Sequence, residues 1–428
     1  MKKIFLVILA LFLMAGCSIP TDLAKNWKNY SHAFIFYLAG DNDVEDYFVG
    51  DLNAMEYALF EHPREDIKII AILDTSGEGA KIFEVLPDED LFFINSKVIS
   101  DLGEINMGDP QILENFIVSA IEGYPARHYY LVFSDHGKGV EGCCWDDSSD
   151  DHLAIAELNS ALRNAKEKTK VTFEIIGFDC CRMATIEVAY AIKDFGRIMV
   201  ASQDVEWAPG WFLESIFSEV LLNPKLQPED LAKTIVRKHS INNRELNRPF
   251  TLSAIDLGKI PSLIPPLCKI SQYLTDTLNK EKDTNFTDKN LTLTELNKLR
   301  DNMRRWSYEE VDIYDLASQL EKINLPLETN QAISELKNAL TSAIIIKAAS
   351  KNMPLANGLS IRLFNPEGIP TDLGFPQEWK IFLDTWQDCD SFYQKLNPPN
   401  PNIPSVPTNT VPSTIADGIP YQHTKAGG

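Results

Sequence analysis

Cysteine is scarce in this chain. Seven cysteines in 428 residues, with no Cys-x-x-Cys spacing, exclude a disulfide framework and give no sign of a zinc site. Four of them are sequence neighbours, Cys143/Cys144 and Cys180/Cys181, and the rest are Cys17, Cys268 and Cys389. Basic residues are also short, 40 Lys and Arg against 61 Asp and Glu, giving a formal net charge of −21. Such an acidic surface argues against nucleic acid and anionic lipid headgroups as partners. A bilayer-spanning run is missing from the N-terminus, where the apolar stretch Ile4 to Met14 is too short to cross. What the chain does have is a 44% hydrophobic content, enough for a substantial core in one large domain or two.

That short apolar stretch follows Lys2 and Lys3 and runs into Leu13-Met14-Ala15-Gly16-Cys17, which resembles a bacterial lipobox. Residues 1–16 then read as a lipoprotein signal peptide, and the mature chain begins at Cys17 with lipid on its sulfur and amine. Several acyl chains anchor stably where one does not. Ser18 follows with no acidic retention signal, so the expected location is the bacterial cell envelope, extracytoplasmic, at the outer membrane or cell surface. The alternative is an ordinary secretory signal with an incidental cysteine; either way the protein is exported.

Residues 17–30 read as a tether and 31–257 as the core. Strands are expected over Ala33–Leu38, Lys68–Leu73, Tyr129–Phe133, Phe173–Phe178, Arg197–Ala201 and Phe250–Ile255. Helices fall between them, one over Val44–Phe60 after the turn Gly40-Asp41-Asn42-Asp43, another starting at Asp109-Pro110, and a third over Ala154–Lys166. That alternation indicates an α/β fold with a mainly parallel sheet covered on both faces. Residues 258–396 read as a C-terminal, mostly helical subdomain with a returning strand over Gly358–Phe364. The Pro-rich stretch 397–428 reads as a tail unlikely to fold.

Two of the expected strands carry chemistry at their ends. Tyr129–Phe133 runs into Ser134-Asp135-His136-Gly137-Lys138-Gly139, and Phe173–Phe178 runs into Asp179-Cys180-Cys181-Arg182-Met183. Ligands of α/β sheets bind outside the carboxyl ends of strands, so an imidazole and a thiol would meet at one edge. A thiolate is the nucleophile, and a nearby imidazole with the N-terminal end of a helix near Arg182 would favour it. The same imidazole can protonate a leaving amine. Gly137 permits close backbone approach, and its amide would serve an oxyanion. Asp179, two residues before Cys181, points to the same side as the thiol and would select a cationic substrate group.

These paired segments resemble the clostripain-like (C11) cysteine peptidases of the caspase–gingipain–legumain clan. Those enzymes pair a strand ending His-Gly with a strand ending Asp-Ala-Cys, and Cys180 stands here in the alanine slot. The resemblance extends more loosely from about Ala33 to Leu363. It implies a caspase-like sheet, His136 as general acid/base, Cys181 as nucleophile and Asp179 as the floor of an arginine/lysine pocket. The implied partners are peptides with a basic P1 residue and, through Cys17, a membrane. Related enzymes place a pocket wall after the Arg197–Ala201 strand, sometimes with a second acid, for which Asp204 is the candidate; Trp207 and Trp211 either flank that pocket or pack under a loop.

Some relatives depend on calcium, although the chemistry requires no cofactor. The loop Glu141–His152 holds Asp146, Asp147, Asp150 and Asp151, but it lacks the terminal Glu and central Gly of an EF-hand and reads as a solvated acidic loop. His152 is a weak rival to His136, since no strand leads into it. No Lys or Arg lies between Lys138 and Arg163, which argues against self-cleavage in that loop. Cys143, Cys144 and Cys180 read as buried apolar side chains, with an oxidisable pair as the sharper alternative. Against the enzyme stands a second reading, an inactive caspase-like surface binding lipoprotein, with Lys138, Cys180 and Arg182 as signs of drift. A third is a peptidase of non-basic specificity.

Overall fold

The structure, a computed structural model, describes residues 30–223, 225–283, 291–303 and 309–396. The signal peptide, Cys17, nearly all of the tether and the Pro-rich tail lie outside the described residues.

In chain order the strands are β1 (Tyr30–Gly40), β2 (Ile67–Thr75), β3 (Ala80–Glu84), β4 (Lys97–Gly103), β5 (Ala126–Ser134), β6 (Cys143–Asp146) and β7 (Asp151–Leu153). There follow β8 (Phe173–Asp179), β9 (Gly196–Ala201), β10 (Thr251–Asp256), β11 (Glu310–Asp312), β12 (Ile344–Ala349) and β13 (Ser360–Arg362). Nine of them form one sheet in the order β12-β10-β9-β8-β5-β1-β2-β3-β4. Its centre, β9-β8-β5-β1-β2, is parallel, and antiparallel strands extend both edges.

The central strands are apolar throughout because both faces are covered. On β1, Ala33, Ile35, Tyr37 and Ala39 enter one core, while Phe34, Phe36 and Leu38 enter the other. The first core is roofed by the helices Pro110–Gly123 and Ile155–Thr169, the second by Glu45–Glu61, Leu213–Leu222 and Pro228–Glu245. The architecture is the expected caspase-like α/β sheet flanked by helices.

Three local expectations change. The helix expected near Arg182 starts at Ile186, with Thr185 Oγ1 accepting the Val188 N–H as its cap. The intervening turn is tied to the next loop instead: Arg182 N–H reaches Asp204 O at 3.1 Å and Ala184 N–H reaches Ser202 O at 2.8 Å. Secondly, His152 does belong to a strand, β7, which pairs with β6 in a two-stranded ribbon. Finally, the helical stretch after residue 258 is interrupted by β11 and β12. The β-branched run Ile344–Ile346 prefers a pleated surface and joins the main sheet antiparallel to β10. The helices Ile264–Asp283, Leu327–Ala343 and Gln377–Leu396 pack into the first core, continuous with the sheet.

Candidate active site

Parallel pairing of β5 with β8 sets Ser134 opposite Asp179. His136 and Cys181 each lie two residues beyond that pair, so the register carries both to one rim. The main chains meet closely there. Asp135 N–H donates to Asp179 O at 3.3 Å, and a Cβ on Gly137 would stand 2.4 Å from the Cys181 carbonyl oxygen. Only glycine fits at 137. The His loop is further fixed by buried Asp135, which accepts Asn42 Nδ2–H at 2.9 Å and the Trp145 N–H.

His136 is partly exposed and hydrogen-bonds through Nε2 to Asp43 Oδ1 at 2.7 Å. Sequence reading missed Asp43, because it comes from a turn some ninety residues upstream; its one signal was its place in a polar turn at the end of a strand beside β5. Cys181 is half-buried, and its sulfur accepts the Glu206 N–H at 3.3 Å. Burial pushes this thiol up to about 11; the Glu206 amide and the Arg182 charge oppose the rise, and the Glu206 and Asp204 carboxylates add to it. The expected lowering by a helix N-terminus is absent because the helix begins five residues later. At neutral pH the resting Cys181 side chain is therefore a thiol.

Asp179 is buried beneath the loop 205–211. Its Oδ2 accepts the Trp211 N–H at 2.8 Å, and burial raises its carboxyl to about 7. Gly210 has φ +77°, and a Cβ there would lie 2.4 Å from Asp179 Oδ1. A second buried acid beside Asp179 is Glu206. Its buried carboxyl is raised by desolvation and by Asp179, and it lies 3.6 Å from Nδ1 of buried His239. Asp51 reaches the same place from the helix Glu45–Glu61, raised by burial and by Asp179. Its signal was a carboxylate on the apolar stripe of Phe48, Leu52 and Met55.

Asp204, the acid favoured by the sequence, spends its main chain on the turn. Its carbonyl accepts Arg182 N–H and Ser202 Oγ–H, and its own N–H donates to Ser202 Oγ and Thr251 Oγ1. Trp211 is a core residue: its ring packs 2.6 Å from where a Gly177 Cβ would be. Cys143, Cys144 and Cys180 are buried free thiols in the first core, with Cys143 and Cys144 sulfurs 3.7 Å apart.

The model of the clostripain family matches residues 36–401. Clostripain from Hathewaya histolytica is 26% identical over 409 residues, covering 81% of this chain and 77% of its own. Among solved structures, a secreted C11 cysteine protease from Bacteroides thetaiotaomicron, held with an irreversible peptide inhibitor, superposes with a TM-score of 0.63. It is 19% identical and covers 85% of this chain and 99% of its own. An inactive zymogen C11 protease from Parabacteroides distasonis gives 0.61 at 20% identity, with 85% and 99% covered. With the family match spanning most of its length and the ends of two paired strands carrying a cysteine and a histidine to one sheet rim, the chain belongs to the clostripain family and is a cysteine endopeptidase.

Proposed function

We propose that the chain is an exported, lipid-anchored endopeptidase that cleaves after Arg or Lys, with Cys181 as nucleophile and His136 as general acid/base. The carbonyl carbon of the scissile bond is attacked by the Cys181 sulfur as the thiol proton passes to His136. The amide N–H of Gly137 faces the developing oxyanion. His136 then delivers that proton to the departing amine, and an acyl-enzyme remains. Water, deprotonated by His136, hydrolyses the thioester and returns the thiol. No cofactor enters these steps.

The basic P1 reading rests on one observation. Glu206 Oε1 and Oε2 and Asp51 Oδ2 are buried without a well-formed hydrogen bond, beside the partly satisfied Asp179, with Trp211 and His239 Nδ1 (3.6 Å away) among the polar neighbours of Glu206. Buried carboxylates without partners are costly, and a guanidinium or ammonium supplies the missing donors and charge. Glu206 takes the second-acid role in place of Asp204. Testing needs a P1 panel: Arg and Lys reporters are expected to turn over at least a hundredfold faster than Asp or Leu reporters, and an Arg chloromethylketone to add to Cys181. Equal turnover across the panel overturns the specificity.

The lipid anchor rests on Leu13–Cys17. Fatty-acid labelling in a bacterial host is expected to mark the wild type and not Cys17→Ala, which is released to the soluble fraction. A membrane-bound, unlabelled wild type would overturn it.

A further inference from the structure

Aromatic side chains are exposed at the end of the sheet opposite the active-site rim. Among the described residues the exposed Phe side chains are Phe60, Phe92 and Phe93, the last two each 71% exposed. β3 runs antiparallel to β2 and sets Glu84 beside Ile70, so the loop 85–96 leaves from the amino ends of the parallel strands. The helix Glu45–Glu61 returns the chain to that same end, and Phe60 lies one turn beyond Glu56 on one helix face. His136 and Cys181 follow the carboxyl ends of β5 and β8, about 33 Å away along the length of β1.

The main chain of this loop is firmly held. Fully buried Glu56 accepts the Asn95 N–H at 3.0 Å and the Ser96 N–H at 2.5 Å through Oε1, and its carbonyl accepts the Asp88 N–H at 3.3 Å. Ser96 Oγ accepts the Leu86 N–H at 3.0 Å. At the tip, Asp90 Oδ1 accepts the N–H groups of Phe92 at 2.8 Å and Phe93 at 3.2 Å. Two apolar rings therefore project into water from a fixed backbone, which marks an interaction surface. The surface adjoins the point where the chain enters the fold. Lys68 Nζ lies 5.3 Å from the centroid of the Tyr30 ring and 2.7 Å from Glu84 Oε1, and Lys97 Nζ is 3.4 Å from Glu84 Oε2. Tyr30 is thereby bridged to both ends of the loop. Residues 18–29 separate Cys17 from Tyr30, a span of at most about 45 Å.

The geometry points to Phe92 and Phe93, flanked by Phe60, as a membrane-contact surface that enters the interface of a zwitterionic phospholipid bilayer. This assignment rests on the lipid-anchor reading above, and the bilayer is the one that holds the Cys17 lipid. A lipid on so long a tether leaves the domain free to turn; rings beside the entry point add a second attachment and orient it. Neutral headgroups follow from the local charges. Lys68 and Lys97 are engaged with Glu84 and Arg64 with Asp66, whereas Asp88, Glu89 and Asp90 stand beside the rings and repel an anionic surface. In this orientation the active-site rim faces away from the bilayer, toward substrates in solution.

The test pairs the wild type with a variant carrying Phe92→Ser and Phe93→Ser. Lipidated wild type in phosphatidylcholine vesicles is expected to exchange amide hydrogens over 91–94 about fivefold more slowly than the chain from Ser18 free in buffer, and the variant to lose that difference. A second arm is independent of the anchor. The chain from Ser18, which keeps every described residue, is expected to co-sediment with the same vesicles, and its double variant to do so about tenfold more weakly. Phosphatidylglycerol added to the vesicles should weaken the wild type. Tm and turnover of soluble reporters should match between the two proteins, so lost binding is not lost folding. Equal co-sedimentation of wild type and variant overturns the surface, as does exchange over 91–94 that vesicles leave unchanged. Binding that strengthens with phosphatidylglycerol overturns ring insertion as its cause, and a dimer abolished by the double variant assigns the rings to a second copy instead. Unlabelled Cys17 together with Phe-dependent co-sedimentation overturns the anchor and upholds the surface.

Discussion

His136 Nε2 and Asp43 Oδ1 are 2.7 Å apart, yet the Asp43 side chain is itself mostly in solvent. A hydrogen bond in that setting orients the ring without fixing it strongly, contributing about 0.5–1.5 kcal/mol. We predict that Asp43→Ala lowers kcat by only about 2- to 12-fold, with KM unchanged. Asp43→Asn should retain most of the rate. Steady-state kinetics checks both; a thousandfold loss in Asp43→Ala would mean that the carboxylate holds the proton chemistry itself.

The half-buried Cys181 thiol sets a second expectation. Its ionisation is pushed up to about 11, so alkylation of the resting enzyme by iodoacetamide should rise about tenfold per pH unit between 7 and 10. A plateau below pH 8 would reveal a preformed thiolate. Cys181→Ala, assayed alongside, should show no turnover while its circular dichroism matches the wild type.

How much of this was legible in the sequence divides along a physical line. Local chemistry was readable: apolar runs gave the parallel strands, and Asp109-Pro110 announced a helix that Asp109 indeed caps through the Gln111 N–H at 2.7 Å. His136 and Cys181 were readable as neighbours because each follows its own strand by two residues, so register alone sets both at one rim. Illegible was whatever depends on loops crossing the rim. Glu206 and Asp204 are two residues apart in one loop, and only folding decides which carboxylate turns inward to Asp179. Ile344–Ile346 was a propensity signal outvoted by the helical pattern around it.

Burial pushes the Asp179 carboxyl up to about 7, and hydrogen bonds from the Trp211 N–H and the Glu206 side chain only partly offset that. A cationic P1 group binds the ionised form, so affinity increases as pH rises through about 7 and levels off above. kcat/KM for Arg reporters should follow that limb, and a neutral-P1 reporter should lack it. Asp179→Asn removes a charge-assisted contact of about 2–3 kcal/mol, lowering kcat/KM for Arg about 30- to 160-fold. Alkylation of Cys181 by iodoacetamide should be unaffected, which separates specificity from nucleophile chemistry.

Gly210 provides the sharpest structural check on the pocket. At φ +77° a side chain costs roughly 1–3 kcal/mol in backbone strain, and its Cβ would press on the Asp179 carboxylate from 2.4 Å. Gly210→Ala is therefore expected to lower Tm by several degrees and to raise KM for Arg reporters by displacing Asp179. Gly123→Ala is the control: that helical position has open space within 4 Å, so the change should leave KM unchanged and should not lower Tm. If Gly210→Ala binds Arg reporters as the wild type does, the loop 205–211 does not form the roof of the P1 pocket, and Glu206 loses its assigned place beside Asp179.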